Sequence, residues 1–284
     1  MKTVKEEQLI ILSWAVVALV AFFIGLWGFG VWHDEWSGYN TSGEITDGSC
    51  NVAVLTIAGE IIPYSGANKD GATFESELSP TSNPDDVLAF LRKAEADQNI
   101  LGVIVSIDSP GGAGVASEII ANALKNLSLP TVALIREHGA SAGYLVATGA
   151  DTIIASPLSD VGSIGVTMSY LEDSEKNAKE GLRFVSLSSG KFKDYTNPDK
   201  PLTTDERALL ERDLKIYHDQ FVKEVAENRN LPIEDVSKLA DGSSMPGELA
   251  LKNKLIDALG DQETARAWFA EQLGMSSGEI IFCE

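Results

Sequence analysis

Between Asn51 and Ala155, short runs rich in Val, Ile and Leu recur with helix-patterned segments between them, a rhythm that few folds accept. Asn51 to Ile62, Leu101 to Ile107, Thr131 to Ile135 and Thr152 to Ala155 read as strands, and Arg183 to Leu187 reads as a further buried strand. Asn83-Pro84-Asp85-Asp86 offers an N-cap, a first-turn proline and two acids at the positive helix end, opening a helix to about Ala96. Helices are also expected over Val115 to Leu127 and from Ala142 to Gly149, whereas Pro63 to Asn83 reads as an irregular loop. Strands joined by helices of this length imply right-handed βαβ crossovers, hence an α/β fold with a largely parallel sheet.

Beyond Lys200 the pattern becomes a helical C-terminal extension. Thr203-Thr-Asp-Glu206 is a capping-box pattern, followed to about Asn228 by Leu209, Leu210, Leu214, Tyr217, Phe221 and Val225 at helical spacing. Shorter helices are expected over Ile233 to Leu239, Gly247 to Lys254 and Gln262 to Leu273. At the other end, Leu9 to Trp32 is an uncharged run of 24 residues, long enough to cross a bilayer core of about 30 Å. Trp14, Trp27 and Trp32 lie toward its ends, and Lys2 and Lys5 precede it. The positive-inside rule therefore keeps residues 1–8 in the cytoplasm, makes 9–32 a single-pass transmembrane anchor, and puts the rest outside. Residues 33–50, rich in Gly, Ser, Thr and acids, read as a flexible tether to a folded domain over 51–284.

Charge narrows the partners. The sequence holds 42 acidic against 22 basic residues, a net charge of −20, which repels a nucleic-acid backbone. Two cysteines, Cys50 and Cys283, make no disulfide framework; an extracytoplasmic site permits a bridge, but two free thiols are the default expectation. Asn40-Thr-Ser42 and Asn126-Leu-Ser128 match the glycosylation sequon, which matters only in a glycosylating host.

The candidate chemistry centres on Gly139-Ala-Ser141-Ala-Gly143. Ser141 falls between an expected strand and an expected helix, a turn that exposes a hydroxyl and aims free N–H groups at what it attacks. Asp108-Ser-Pro-Gly-Gly112 also follows a strand and precedes a helix, and its glycines suit half of an oxyanion hole: Gly112 N–H with Ala142 N–H. A serine nucleophile needs a base. His138 lies on the same turn and His218 inside the long helix, while Ser189-Gly-Lys191-Phe-Lys193-Asp194 brings two lysines. A lysine base must fall from about 10.4 to about 7–8, which only burial would supply. Spacing does not separate Lys191 from Lys193, which share one side of an extended chain.

Asp108 to Gly112, Gly139 to Tyr144, Val161-Gly-Ser-Ile-Gly-Val166, Ser189 to Asp194, and Ala240-Asp-Gly-Ser-Ser-Met-Pro-Gly247 running on to Leu255-Ile-Asp-Ala-Leu-Gly260 together resemble the signal peptide peptidase A family of membrane-anchored serine peptidases, peptidase family S49. The resemblance covers about residues 51–260. It implies a Clp protease/crotonase-like core, a Ser141 nucleophile, a Lys193 general base, Gly112 in the oxyanion hole and Ser163 orienting the lysine. It further implies no metal or cofactor, and a substrate that is a remnant signal peptide or an unfolded membrane-associated chain. A homo-oligomer whose neighbouring protomers complete each other's sites follows from the single copy of each half. Ala142 departs from the glycine the family often has there, narrowing the space beside the N–H. The alternatives are a crotonase-like acyl-CoA enzyme and a non-catalytic membrane scaffold.

Overall fold

The computed structural model describes residues 49–64 and 80–283; the expected transmembrane anchor, its expected cytoplasmic leader and nearly all of the expected tether lie outside the described residues. Among the described residues no helix is long and apolar enough to cross a membrane.

The strands expected from the apolar runs form the centre of one sheet. β1 (Val52–Ile61), β2 (Thr81–Ser82), β3 (Gly102–Gly112), β4 (Thr131–Ala140) and β5 (Thr152–Ala155) pair in the order β2-β1-β3-β4-β5, extended by β8 (Ala258–Leu259), and all of these pairings are parallel. The sheet is mixed rather than wholly parallel. β6 (Asp160–Gly162) runs parallel to the end of β4, but β7 (Ser244–Pro246) pairs with β6 antiparallel. β9 (Phe282–Cys283) adds to the start of β1.

Alternation along the strands divides the core in two. Ala53, Leu55 and Ile57 of β1, Val103, Val105 and Ile107 of β3, and Ala133 and Ile135 of β4 face one side. There they meet Phe90 and Leu91 of α1 (Pro84–Ala96), Ile120 and Leu124 of α2 (Gly114–Lys125) and Tyr144 of α3 (Ala142–Ala147). Ile104, Val132, Leu134 and Ile154 face the other side, against Phe269 of α8 (Gln262–Leu273) and against Phe282. Helices thus cover both faces, as a buried parallel sheet requires.

Local chemistry explains the helix boundaries. Asn83 caps α1, its Oδ1 accepting from Asp86 N at 3.1 Å, with Pro84 in the first turn. Two short elements, α4 (Ser174–Lys179) and a 3-10 turn (Ser277–Glu279), were not expected. α5 (Thr204–Asn228) opens on the Thr203/Glu206 capping box and is followed by α6 (Ile233–Leu239) and α7 (Gly247–Lys252).

Three expectations are corrected. Arg183 to Leu187 is not a strand: it has no pairing partner among the described residues, and Val185 and Leu187 are 58% and 92% exposed. Thr81 and Ser82, expected in a loop, pair with Glu60 and Ile61, where the Ser82 hydroxyl donates to Ala58 O at 3.1 Å. Cys50 and Cys283 are not free thiols but a disulfide, with Cα atoms 5.1 Å apart. The parallel pairing of Val52 with Phe282 and of Ala53 with Cys283 brings them together, a contact between distant segments that spacing cannot reveal.

Candidate active site

The site forms at the carboxyl ends of β3, β4 and β6, where open parallel sheets place their ligands. β4 runs on to Ala140 and stops at Ser141, which takes φ 52° and ψ −124° before α3 begins. A non-glycine residue in that region carries backbone strain of about 1–3 kcal/mol, and it persists because its surroundings enforce it. Ser141 N donates to Gly162 O at 2.7 Å and Leu145 N donates to Ser141 O at 3.0 Å, so β6 and the new helix hold the serine from both sides.

Beside it lies the end of β3, bent by a register shift after Ile107. Gly111, at φ 120°, comes so close that a Cβ there would sit 2.8 Å from Ser141 Cβ and 3.2 Å from Ala142 N. Gly112, at φ 145°, has the Ile61 carbonyl oxygen 2.1 Å from where its Cβ would be, so β1 sets its place. The strand end is braced from below by Ser109, fully buried, whose hydroxyl donates to Gly59 O at 2.6 Å and accepts from Gly111 N at 3.2 Å. Of the expected oxyanion pair, Ala142 follows the serine directly, and Gly112 is seated against Ile61 of β1. Gly111 is in closer contact with Ser141, a distinction that two adjacent glycines in a sequence do not make.

Two further motifs build the floor. Gly162 and Ser163 end β6 opposite Ser244 and Ser243, with Ser163 N donating to Ser243 O at 3.0 Å and the Ser163 hydroxyl donating to Gly242 O at 3.0 Å. The Tyr144 hydroxyl, fully buried, donates to Leu255 O at 2.7 Å, and burial raises its pKa well above the ordinary value. Leu255 is in turn fixed from outside. Arg229 straddles the Asp257 carboxylate at 2.7 and 2.9 Å and also reaches Lys254 O, while Asp257 accepts from Ile153 N at 2.7 Å. Sequence reasoning missed Ser109, Tyr144 and Arg229 as supports, because a Ser, a Tyr or an Arg with a distant carbonyl or carboxylate partner has no local pattern.

Four of the five motif stretches thus converge around Ser141. The fifth makes no hydrogen bond to it. Lys193 is exposed on a turn, and neither its ammonium nor the Ser141 hydroxyl makes a hydrogen bond to another described residue. Lys191 is engaged: its Nζ donates to Asp205 Oδ2 at 2.6 Å and lies 4.9 Å from the Phe192 ring centre. The histidines are also occupied elsewhere. His138 Nδ1 is 3.3 Å from Asp108 Oδ1, both side chains half-exposed, and His218 Nε2 is 2.8 Å from Ala240 O; neither ring hydrogen-bonds to Ser141. Among the described residues no group of His, Cys, Asp and Glu is arranged to hold a metal ion.

The lysine-bearing segment rejoins the folded domain at Glu206. Its carboxylate accepts from Lys200 Nζ at 2.6 Å, from Thr203 N at 3.0 Å and from Thr203 Oγ1 at 2.9 Å, and these donors, Lys200 first, hold its pKa down from 4.5 to about 2. A folded-state value below the unfolded one adds stability above about pH 4.5, which is lost as the pH falls through about 2. Urea midpoints measured from pH 6 to pH 2 are expected to show a shallower acid decline in Glu206→Gln than in wild type. Parallel declines would mean that the carboxylate is solvated.

The architecture is an α/β fold with a mixed, largely parallel sheet that is shared with a solved protease. A solved structure of a membrane-bound stomatin-specific protease, 16% identical, superposes with a TM-score of 0.52 over 82% of this chain and 91% of that one. Residues 123–276 match peptidase family S49, and the chain belongs to that family. A Synechocystis relative is 35% identical over 196 residues, covering 68% of this chain and 70% of its own length. Protease 4 of Haemophilus influenzae is 30% identical over 74% of this chain, and the match spans only 32% of that longer protein. The corresponding share is 62% for a Methanocaldococcus jannaschii relative that is 35% identical.

Proposed function

We propose that this chain is a serine endopeptidase in which Ser141 is the nucleophile and Lys193 the general base. The observation that carries the reading is Ser141 itself: a serine held at positive φ on the strand-to-helix turn, with Gly111 packed against its Cβ. Lys193 is chosen over Lys191 because it is the lysine of Ser189-Gly-Lys-Phe-Lys-Asp194 that matches the family's base. In the reaction the Lys193 amine takes the proton from Ser141 Oγ as the oxygen attacks the scissile carbonyl. The oxyanion is held by the N–H groups of Gly112 and Ala142. The C–N bond breaks, the ammonium returns its proton to the leaving amine, and an acyl-enzyme remains. Water then attacks, Lys193 takes its proton, and that proton passes back to Ser141 as the acid product leaves.

One chain leaves the dyad apart, so the reading includes assembly: Lys193 of one copy approaches Ser141 of a neighbour, where desolvation prepares the amine and Ser163 orients it. The exposed Leu171, Leu182, Val185 and Leu187 on the lysine segment suit such a contact. The apolar run at 9–32 is read as an anchor in the cytoplasmic membrane, with the catalytic domain outside. The disulfide supports an oxidising compartment. Remnant signal peptides or unfolded membrane-associated chains are the proposed substrates.

A second reading has one observation in its favour, the His138–Asp108 contact, which resembles the imidazole–carboxylate half of a triad. Labelling with a fluorophosphonate separates the two. Wild type is expected to label at Ser141 and Ser141→Ala not at all; Lys193→Ala is expected to lose roughly 100-fold or more in rate, with His138→Ala near wild type. The reverse pattern for the last two variants would transfer the base to His138, and an unlabelled wild type would end the serine-hydrolase reading.

A further inference from the structure

Residues 164–202 carry Lys193, yet their only regular element is α4, and large apolar side chains such as Leu171 and Leu187 are 86% and 92% exposed. The core of the domain therefore does not set where Lys193 stands. The segment's return onto α5 does. Lys200 and Glu206 form an ion pair at 2.6 Å whose side chains are only 18% and 7% exposed, directly at the first turn of α5. Back from Lys200, the chain is stiffened turn by turn: Asp199 N donates to Asn197 Oδ1 at 2.8 Å, Asn197 N to Asp194 O at 3.1 Å, and Lys193 N to Gly190 O at 3.1 Å. Asp194 also accepts from the Ser186 hydroxyl at 2.7 Å and from the Ser188 hydroxyl, which tie the irregular stretch before the turn to the turn itself. The second link to α5, Lys191 to Asp205, is about two-thirds exposed on both sides and contributes little.

We infer that Lys200 and Glu206 are positioning residues for Lys193, fixing the place from which the lysine turn projects toward Ser141 of a neighbouring copy. The inference rests on Lys193 being the base. A buried ion pair adds little net stability over an apolar pair of the same shape, but it accepts one registry and rejects others. A general base is sensitive to registry: misplacement of about 1 Å can cost a factor of about 100. Lys200 and Glu206 touch neither substrate nor Ser141 and act only through the turn.

The test uses the full-length protein and follows fluorophosphonate acylation of Ser141, separating the acylation rate constant from reversible probe binding. Lys200→Met is expected to slow acylation between about 10-fold and 100-fold with binding within about 2-fold of wild type, and Lys200→Arg to restore most of the rate. Lys200→Met strands a buried carboxylate and can fail to fold, so the double variant Lys200→Met/Glu206→Leu is measured beside it, with melting temperature and helix content as controls. That variant is expected to melt close to wild type and still acylate slowly. Wild-type acylation rates in Lys200→Met, no rescue by arginine, or recovery of rate together with melting temperature in the double variant would each overturn the inference. An unlabelled wild type, or Lys193→Ala labelling as fast as wild type, would instead remove the dyad reading on which it stands.

Discussion

Replacing Cys50 and Cys283 together by serine is expected to lower the stability of the folded domain by about 3–5 kcal/mol. The bridge closes a loop with a sequence separation of 233, and the chain-entropy account gives roughly 5 kcal/mol for a loop of that length before compensating effects. Both cysteines are more than nine-tenths buried, so the serine hydroxyls add a desolvation cost. β9 pairs with β1 through Phe282 and Cys283 alone, helped by the hydrogen bonds of Asn51 and Val52 to Ile281 and by the Arg266 guanidinium stacked 4.5 Å from the Phe282 ring centre. In a chain of this size the loss amounts to about 10 °C in melting temperature. Calorimetry of wild type and the double variant, with thiol titration of the wild type, checks it. Free thiols in oxidised wild type, or a loss under about 1 kcal/mol, would show that the bridge does not hold the domain together.

The second large effect is expected at Gly111. Alanine there must adopt φ 120° and place its Cβ 2.8 Å from Ser141 Cβ and 3.1 Å from Ser141 Oγ. Backbone strain of this kind costs about 1–3 kcal/mol, and relief by movement displaces either the serine or the end of β3. Either movement spoils the approach of the N–H groups proposed to hold the oxyanion, and loss of one such donor costs about 100-fold to 1,000-fold in rate. Gly111→Ala is therefore expected to fold, to melt a few degrees lower, and to label with fluorophosphonate at least about 100-fold more slowly. Near-normal labelling would mean that the two loops are not in contact when the enzyme works.

Much of this was legible in the sequence because the central strands and helices carry strong periodic signals. Val103, Val105 and Ile107 alternate as the sheet demands, and Asn83-Pro-Asp-Asp and Thr203-Thr-Asp-Glu cap their helices as written. Strand ends were less legible. β3 and β4 were expected to stop at Ile107 and Ile135 because Pro110-Gly-Gly and Arg136-Glu-His look like turns. In the structure both continue to Gly112 and Ala140, since Arg136, Glu137 and His138 can stay extended while facing solvent. Arg183 to Leu187 failed for the opposite reason. Its β-rich composition describes a surface that must be covered, and among the described residues nothing covers Val185 or Leu187.

The site shows the same division. Ser141, Gly112 and Ala142 were named from short motifs and Ser163 from the family resemblance; in the structure they lie at or just beyond the ends of β3, β4 and β6. Lys191 and Lys193 were separable only by family resemblance, and the exposed Lys191–Asp205 contact does not decide between them. Contacts between remote segments left no trace in spacing, among them Tyr144 with Leu255 and Arg229 with Asp257.

The pairing of Cys50 with Cys283 also changes what a backbone cut does to this molecule. Residues 50–283 form a covalent ring, so a single hydrolysed peptide bond anywhere between them opens the ring without releasing a fragment. An enzyme that clips its own exposed segment at 164–202 would keep both pieces, and the clip would come apart only where the disulfide is reduced.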